Sequence, residues 1–343
     1  MHSTNDGSHP LDVNLENADR TQANLSRVDT SSKRDGNVVR LWWALGALIG
    51  LVLVFRNHLA ALAVHAAGSE IHSHILLVPF ISAYLICIRR KQMPRIGGSS
   101  VAWAIIPLLV GIASFAVGSG KGVEGWLLSG NDFLSLMAFS FYSLLIAAGF
   151  VSLGRKWMAA CAFPLAFLIF MVPLPDGVVD ALETASKLAS AETADLLFRV
   201  SGTPALRDGT IFQLPGMVVE VAQECSGIRS SLVLFITGVL AAYMLLGSPW
   251  RRLVLIAFVI PLGIVRNGIR ILVVSLLCVH VGPHMIHSDI HRRGGPLFFA
   301  LSLVPLFVIL WWLRRGERPD SFGDSRKAHI RDAGWQDAGN AKS

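Results

Sequence analysis

The chain has 343 residues, 53% of them hydrophobic and only 15% charged, and its mean hydropathy is +0.55. That balance excludes an ordinary soluble globular domain and places the chain in the multi-pass membrane class. The formal charge of +7 carries no nucleic-acid footprint, because Lys and Arg gather in short loops between apolar runs, as the positive-inside rule expects.

Residues 1–40 are polar and lack the apolar stretch and small-residue cleavage site of a signal peptide. They are expected to form a disordered cytoplasmic tail, as is 316–343. A helix that spans the hydrocarbon core needs about 20 apolar residues. On that criterion eight spans are predicted, over 41–56, 72–88, 101–119, 132–153, 157–174, 226–247, 253–281 and 296–313. The expected fold class is an all-α polytopic membrane protein with one domain over 41–315. Eight passes put both termini on one side. With a cytoplasmic N-terminus, the loops carrying Arg89-Arg90-Lys91 and Arg95, Arg155-Lys156, Arg251-Arg252 and Arg314-Arg315 all fall inside.

The longest outer segment then runs from about 175 to 225. Over 178–200, apolar residues recur at helical spacing with Asp180, Glu183, Lys187, Glu192 and Asp195 between them, which predicts an amphipathic interfacial helix. Over 203–221, an Asp208-Gly209 turn signal and alternating apolar residues predict a short hairpin. That hairpin leads to Cys225.

Of the four cysteines, Cys87, Cys161 and Cys278 lie in apolar runs, where cysteine is usually a small packing residue. Only Cys225, in Glu224-Cys225-Ser226-Gly227-Ile228-Arg229-Ser230-Ser231, has a polar setting, at the outer mouth of the sixth span. No C-x-x-C or metal-ligand spacing occurs, so neither metal nor cofactor is expected. Arg270 lies 18 residues beyond Arg252, about 27 Å up a helix that crosses a core roughly 30 Å thick. His291 lies in the outer loop before the eighth span. Three residues from separate segments thus converge on one depth. A thiol is a nucleophile as thiolate, which imidazole or a cation favours. Arginine can hold a carbonyl or oxyanion, and histidine can pass a proton to the leaving amine. Together they suggest acyl transfer by a thiol peptidase or transpeptidase.

Each residue also has a structural reading: a packed cysteine, a snorkelling arginine, a solvated histidine. Arg266, one turn before Arg270, faces the same side, and either of the two could be the structural partner. Two rival functions stand beside acyl transfer. His280, His284, His287 and His291 fall at i, i+4, i+7 and i+11 with Asp289 nearby, a ladder that could hold zinc in a metal-dependent membrane hydrolase, although Gly282-Pro283 interrupts it. Alternatively, Arg266 and Arg270 could line the anion path of a transporter, with Pro261 and Gly268 breaking the helix beside them. Arg292 and Arg293 lie outside against the charge rule, either as solvated groups or as contacts for a lipid phosphate or an acidic substrate.

Four places in the chain resemble the exosortase and archaeosortase family of membrane cysteine transpeptidases. They are the Cys225 string, preceded by Gly202-Thr203-Pro204 and Leu214-Pro215-Gly216; Asn267-Gly268-Ile269-Arg270-Ile271; His291 with Gly295 and Phe299; and His72-Ser73-His74-Ile75-Leu76-Leu77-Val78-Pro79 followed by Arg89-Arg90-Lys91. In order, they cover about 70 to 315. The histidine at the last position is similar to the bacterial exosortases, whereas His74-Ile75 and Pro296 depart from the family pattern. The resemblance implies Cys225 as nucleophile, Arg270 as the carbonyl or oxyanion arginine and His291 as the acid-base residue. It further implies substrates that are exported proteins with a C-terminal tripartite signal of the PEP-CTERM type, a lipid or glycan acceptor in an exopolysaccharide-linked envelope, and an inner-membrane enzyme with its site on the periplasmic face.

Overall fold

The computed structural model describes residues 39–69, 71–90, 93–94, 96, 98–120, 128–215, 217–220, 227–282 and 295–316. The chain divides at Leu174 and Pro175 into two compact units.

The first unit opens with α1, Val39–Val54, and α2, Arg56–Gly68, which meet at a bend of 70°. A single span over 41–56 is expected from hydropathy, but the helix breaks at Phe55. Phe55 is 2% exposed and packs edge-on against Phe115 and Phe141, with centroids at 5.5 and 5.7 Å. The bend is where that ring is drawn inward. A 3₁₀ turn, Ser73–Leu76, leads into α3, Val78–Arg89; this predicted span is a shorter apolar helix of two pieces.

The next two elements, α4 (Val101–Ser119) and α5 (Gly130–Ser152), match their predicted spans closely. Ser129 caps α5, its Oγ accepting from the Asp132 amide at 3.0 Å, which satisfies one of the first-turn donors. Gly111 lets the two helices touch: a Cβ there would lie 2.7 Å from Leu144 Cγ. Its carbonyl accepts from buried Ser140 Oγ at 2.7 Å, so the hydroxyl is satisfied inside apolar packing. The predicted fifth span, 157–174, is not one helix. It is α6 (Arg155–Ala160), α7 (Ala162–Phe167) and a 3₁₀ turn, Leu168–Met171, because Pro164 falls in the first turn of α7 and cannot supply an amide to the turn before it. At the other end of this unit, the Arg155 amide donates to Ser100 Oγ at 3.0 Å and its guanidinium stacks 4.7 Å over Trp103. Arg155 thus sits beside the start of α4.

The second unit begins with α8, Asp176–Val200, the expected amphipathic helix. The expected hairpin is a three-stranded antiparallel meander, β1 (Leu206–Asp208), β2 (Ile211–Leu214) and β3 (Met217–Glu220), in the order β1-β2-β3. Asp208 pairs with Ile211, leaving a two-residue turn whose first residue, Gly209, has φ +60°; such primed turns match strand twist. Phe212 is fully buried against Phe198 of α8 at 5.3 Å between centroids, and Arg207 donates to Glu192 Oε1 at 2.9 Å. The meander is thereby fixed to α8 by one apolar and one ionic contact.

Three long apolar helices follow: α9 (Ile228–Leu245), α10 (Pro249–His280) and α11 (Gly295–Arg315). Leu234, Leu246, Leu255 and Leu306 are wholly buried in the core they share. The antiparallel hairpin of α9 and α10 is tight enough that a Cβ on Gly238 would meet Val259 Cγ2 at 2.7 Å. At its basic end, Arg251 Nη1 donates to the Leu313 carbonyl at 2.9 Å, so Arg251-Arg252 and Arg314-Arg315 share one end of the unit. Among the described residues, five helices are long and apolar enough to cross a membrane, or up to seven if each of two bent pairs counts as one span. The protein is an all-α polytopic membrane protein, with helix breaks where hydropathy alone expects eight straight spans.

Candidate active site

The N-terminus of α9 is anchored by two consecutive residues of α10. Gly227, its N-cap, has φ +68°, the left-handed region that glycine enters without steric cost. Its carbonyl accepts from the Ser231 amide at 2.9 Å, from Ser230 Oγ at 3.1 Å and from Arg266 Nη2 at 3.2 Å. Arg266 Nη2 also donates to Ser231 Oγ at 3.0 Å. Arg266 is 5% exposed. Gly263, one turn before it, makes room for Ser231, whose Oγ would stand 3.0 Å from a Cβ at that position.

Asn267 fills the space beside Gly227: a Cβ on the glycine would lie 2.7 Å from Asn267 Oδ1 and 2.8 Å from its Cγ. The amide is 1% exposed and donates from Nδ2 to Ser190 Oγ of α8 at 3.0 Å. Gly268 lets α8 approach, since a Cβ there would meet Thr193 Cγ2 at 2.7 Å. Thr193 Oγ1 is turned to the Ala189 carbonyl at 2.9 Å. Three helices therefore meet at the turn Arg266 to Gly268, through contacts between residues as far as 77 positions apart in the chain.

Of the predicted site residues, Arg270 lies in α10 one turn beyond this junction and is half-buried. Cys225 and His291 lie outside the described residues, as do Glu224, Arg292 and Arg293. Of the two arginines, Arg266 is the one bound to the α9 N-terminus, both bonds made by its Nη2. The signal for it was present in the sequence as a second arginine in an apolar run, but its acceptor was not. Ser190, Asn267 and Ser231 were missed as partners because each contact is long-range.

The rivals change in the light of these elements. His280 is the exposed last residue of α10, and Gly282 follows at φ +138°, so the helical face assumed for the histidine ladder ends before its second member; His284 and His287 lie outside the described residues. No group of three metal-binding side chains occurs among the described residues. Pro261 and Gly268 do not break α10, which runs continuously from Pro249 to His280. In the first unit, His72 is 5% exposed, its Nδ1 3.1 Å from Ser69 Oγ and its ring 5.3 Å from that of His65. His74 Nδ1 lies 3.1 Å from the Ile71 carbonyl oxygen.

A sequence profile of transmembrane exosortases matches residues 64–308. The chain belongs to the transmembrane exosortase family. In this exosortase the matched region begins inside α2 and ends inside α11, so both the His65 and His72 pair and the α8, α9 and α10 junction fall within it. The exosortases are membrane cysteine transpeptidases that sort exported proteins. No curated protein and no solved structure matches the chain.

Proposed function

We propose that this exosortase cleaves C-terminal tripartite sorting signals of the PEP-CTERM type with Cys225 as nucleophile, Arg270 as oxyanion arginine and His291 as acid-base residue. The observation that carries the assignment is the Arg266 bond to the Gly227 carbonyl. Gly227 follows Cys225 by two residues and Arg270 follows Arg266 by one turn, so the bond joins the start of α9, into which the Cys225 string leads, to the arginine turn of α10.

In this reading the Cys225 thiolate adds to the carbonyl carbon of the scissile peptide. Arg270 holds the oxyanion that forms, a donation that gains strength where water is scarce. His291 gives a proton to the departing amine, the C–N bond breaks, and a thioester remains. A hydroxyl or amine of a lipid or glycan acceptor then displaces the thiol and gives its proton back to His291. A site poor in water favours that transfer over hydrolysis. With the basic loops facing the cytoplasm, the reaction lies on the periplasmic face of the inner membrane. The whole of 41–315 acts as one transmembrane domain between two tails.

The test is co-expression with an exported reporter that carries such a signal, comparing the wild type with Cys225→Ala by intact mass. The expected result is loss of the signal helix and a mass addition with the wild-type thiol only. Processing that survives in Cys225→Ala refutes the thiol mechanism.

A further inference from the structure

We propose that a cleft in the first unit, between α1 and the α4 and α5 pair, binds an anionic phospholipid, with the phosphate at Arg40 and Arg155 and the hydrocarbon chains along the apolar length beyond. The proposal is independent of the chemistry at Cys225.

The cleft has a volume of about 580 Å³, within the range of pockets that hold small molecules. One face of α1 lines it through Arg40, Trp43, Ala47 and Leu51, residues three or four apart and therefore on one stripe of the helix. Ala104 and Leu108 of α4 and Leu144 and Ala147 of α5 complete the apolar walls, and the alanines leave the room that larger side chains would take. One turn past Leu51 the helices touch at Phe55, whose ring packs against Phe115 and Phe141.

Polarity is confined to the other end. The polar lining residues are Arg40, Ser99 and Ser152, which stand at the start of α1, just before α4 and at the last residue of α5. Arg155 adds a second cation there: it is exposed, its amide is bonded to Ser100 Oγ and its guanidinium lies over Trp103. Exposed Lys156 follows it. Trp42, Trp43 and Trp103 are exposed at the same end, as tryptophans are at headgroup level. From Arg40 to Leu51 the helix rises about 16 Å, against about 15 Å for half of the hydrocarbon core. The cleft thus reaches from headgroup depth to near the bilayer centre, the length of one leaflet.

This shape and charge select the occupant. With the basic loops facing the cytoplasm, the polar end lies in the inner leaflet, where basic pockets between membrane helices take anionic headgroups. A helix about 10 Å across would fill about 1,300 Å³ over the same length, more than twice the cleft. The basic tail of a sorting signal would also meet like charge at its mouth.

The full-length protein, stripped of lipid in detergent micelles, is titrated with dioleoyl phosphatidylglycerol or dioleoyl phosphatidylcholine, and bound lipid is counted by native mass spectrometry. The expected result is one tightly held phosphatidylglycerol, preferred over phosphatidylcholine by a margin that falls about fivefold for each cation removed in Arg40→Gln and Arg155→Gln. Ala47→Phe should lose both lipids, because its ring fills the space for the chains. Equal binding of the two lipids by the wild type, or an unchanged preference in the double arginine variant, overturns the proposal. Wild-type binding by a folded Ala47→Phe protein does the same; should thermal unfolding show that this variant does not fold, the double arginine variant decides alone. A synthetic apolar helix with a basic tail that displaces the lipid assigns the cleft to a protein segment and overturns the proposal as well.

Discussion

Replacing Gly227 with alanine tests the junction at its narrowest point. The backbone there stands at φ +68°, a conformation that costs an L residue about 1–2 kcal/mol. The added methyl would also sit 2.7 Å from Asn267 Oδ1 and 2.8 Å from Cγ. Asn267 is held by its bond to Ser190 and is 1% exposed, so it has nowhere to swing. Overpacking of this kind costs about 1–3 kcal/mol, which makes the total about 2–5 kcal/mol. Equilibrium unfolding in mixed micelles, read by tryptophan fluorescence, measures it. The double variant with Asn267→Ala removes the collision but not the backbone strain, so the two substitutions should combine less than additively, with a coupling of about 1–3 kcal/mol. A Gly227→Ala protein as stable as the wild type, or strictly additive energies in the cycle, refutes the reasoning.

Gly111→Ala should destabilise the first unit by about 1–3 kcal/mol, because its methyl meets the Leu144 backbone amide at 3.2 Å as well as the side chain; unfolding in micelles indistinguishable from wild type would contradict this. On α8, the Arg207 guanidinium holds the Glu192 carboxyl below its ordinary range. A depressed carboxylate contributes stability that is present above its unfolded value of about 4.3 and is lost as pH falls through the lower folded one. The melting temperatures of wild type and Glu192→Gln should therefore differ slightly at pH 7 and converge on acidification, whereas a gap independent of pH argues against the pair.

Helices that are uninterrupted apolar runs were legible: α4, α5, α9, α10 and α11 lie within a few residues of where hydropathy puts them. Hydropathy counts composition and not backbone continuity, so it ran straight through Phe55 and Pro164. Phe55 is as apolar as its neighbours, and only its burial against Phe115 and Phe141 bends the chain. The α8 helix was legible from its charge spacing, and the meander only as one hairpin, because apolar alternation marks β2 and β3 but not the three residues of β1, Leu206–Asp208. At the site, Arg266 and Arg270 stood out as cations in an apolar run. Which of them closes on the chain near Cys225 depends on a partner 39 residues away, and no local pattern encodes that choice.

Arg251 shows how economical the basic end of the second unit is. The carbonyls at the end of a membrane helix ordinarily look to water or headgroups, but those of Leu313 and Gly316 are taken by Arg251 from the neighbouring helix. Arg251, whose charge is of the kind the positive-inside rule counts, therefore also seals the terminus of α11. Lysine there would keep the first service, which asks only for charge, and lose the second, which asks for a fork. Charge at a loop and closure of a helix end are thus two separable demands on a single side chain.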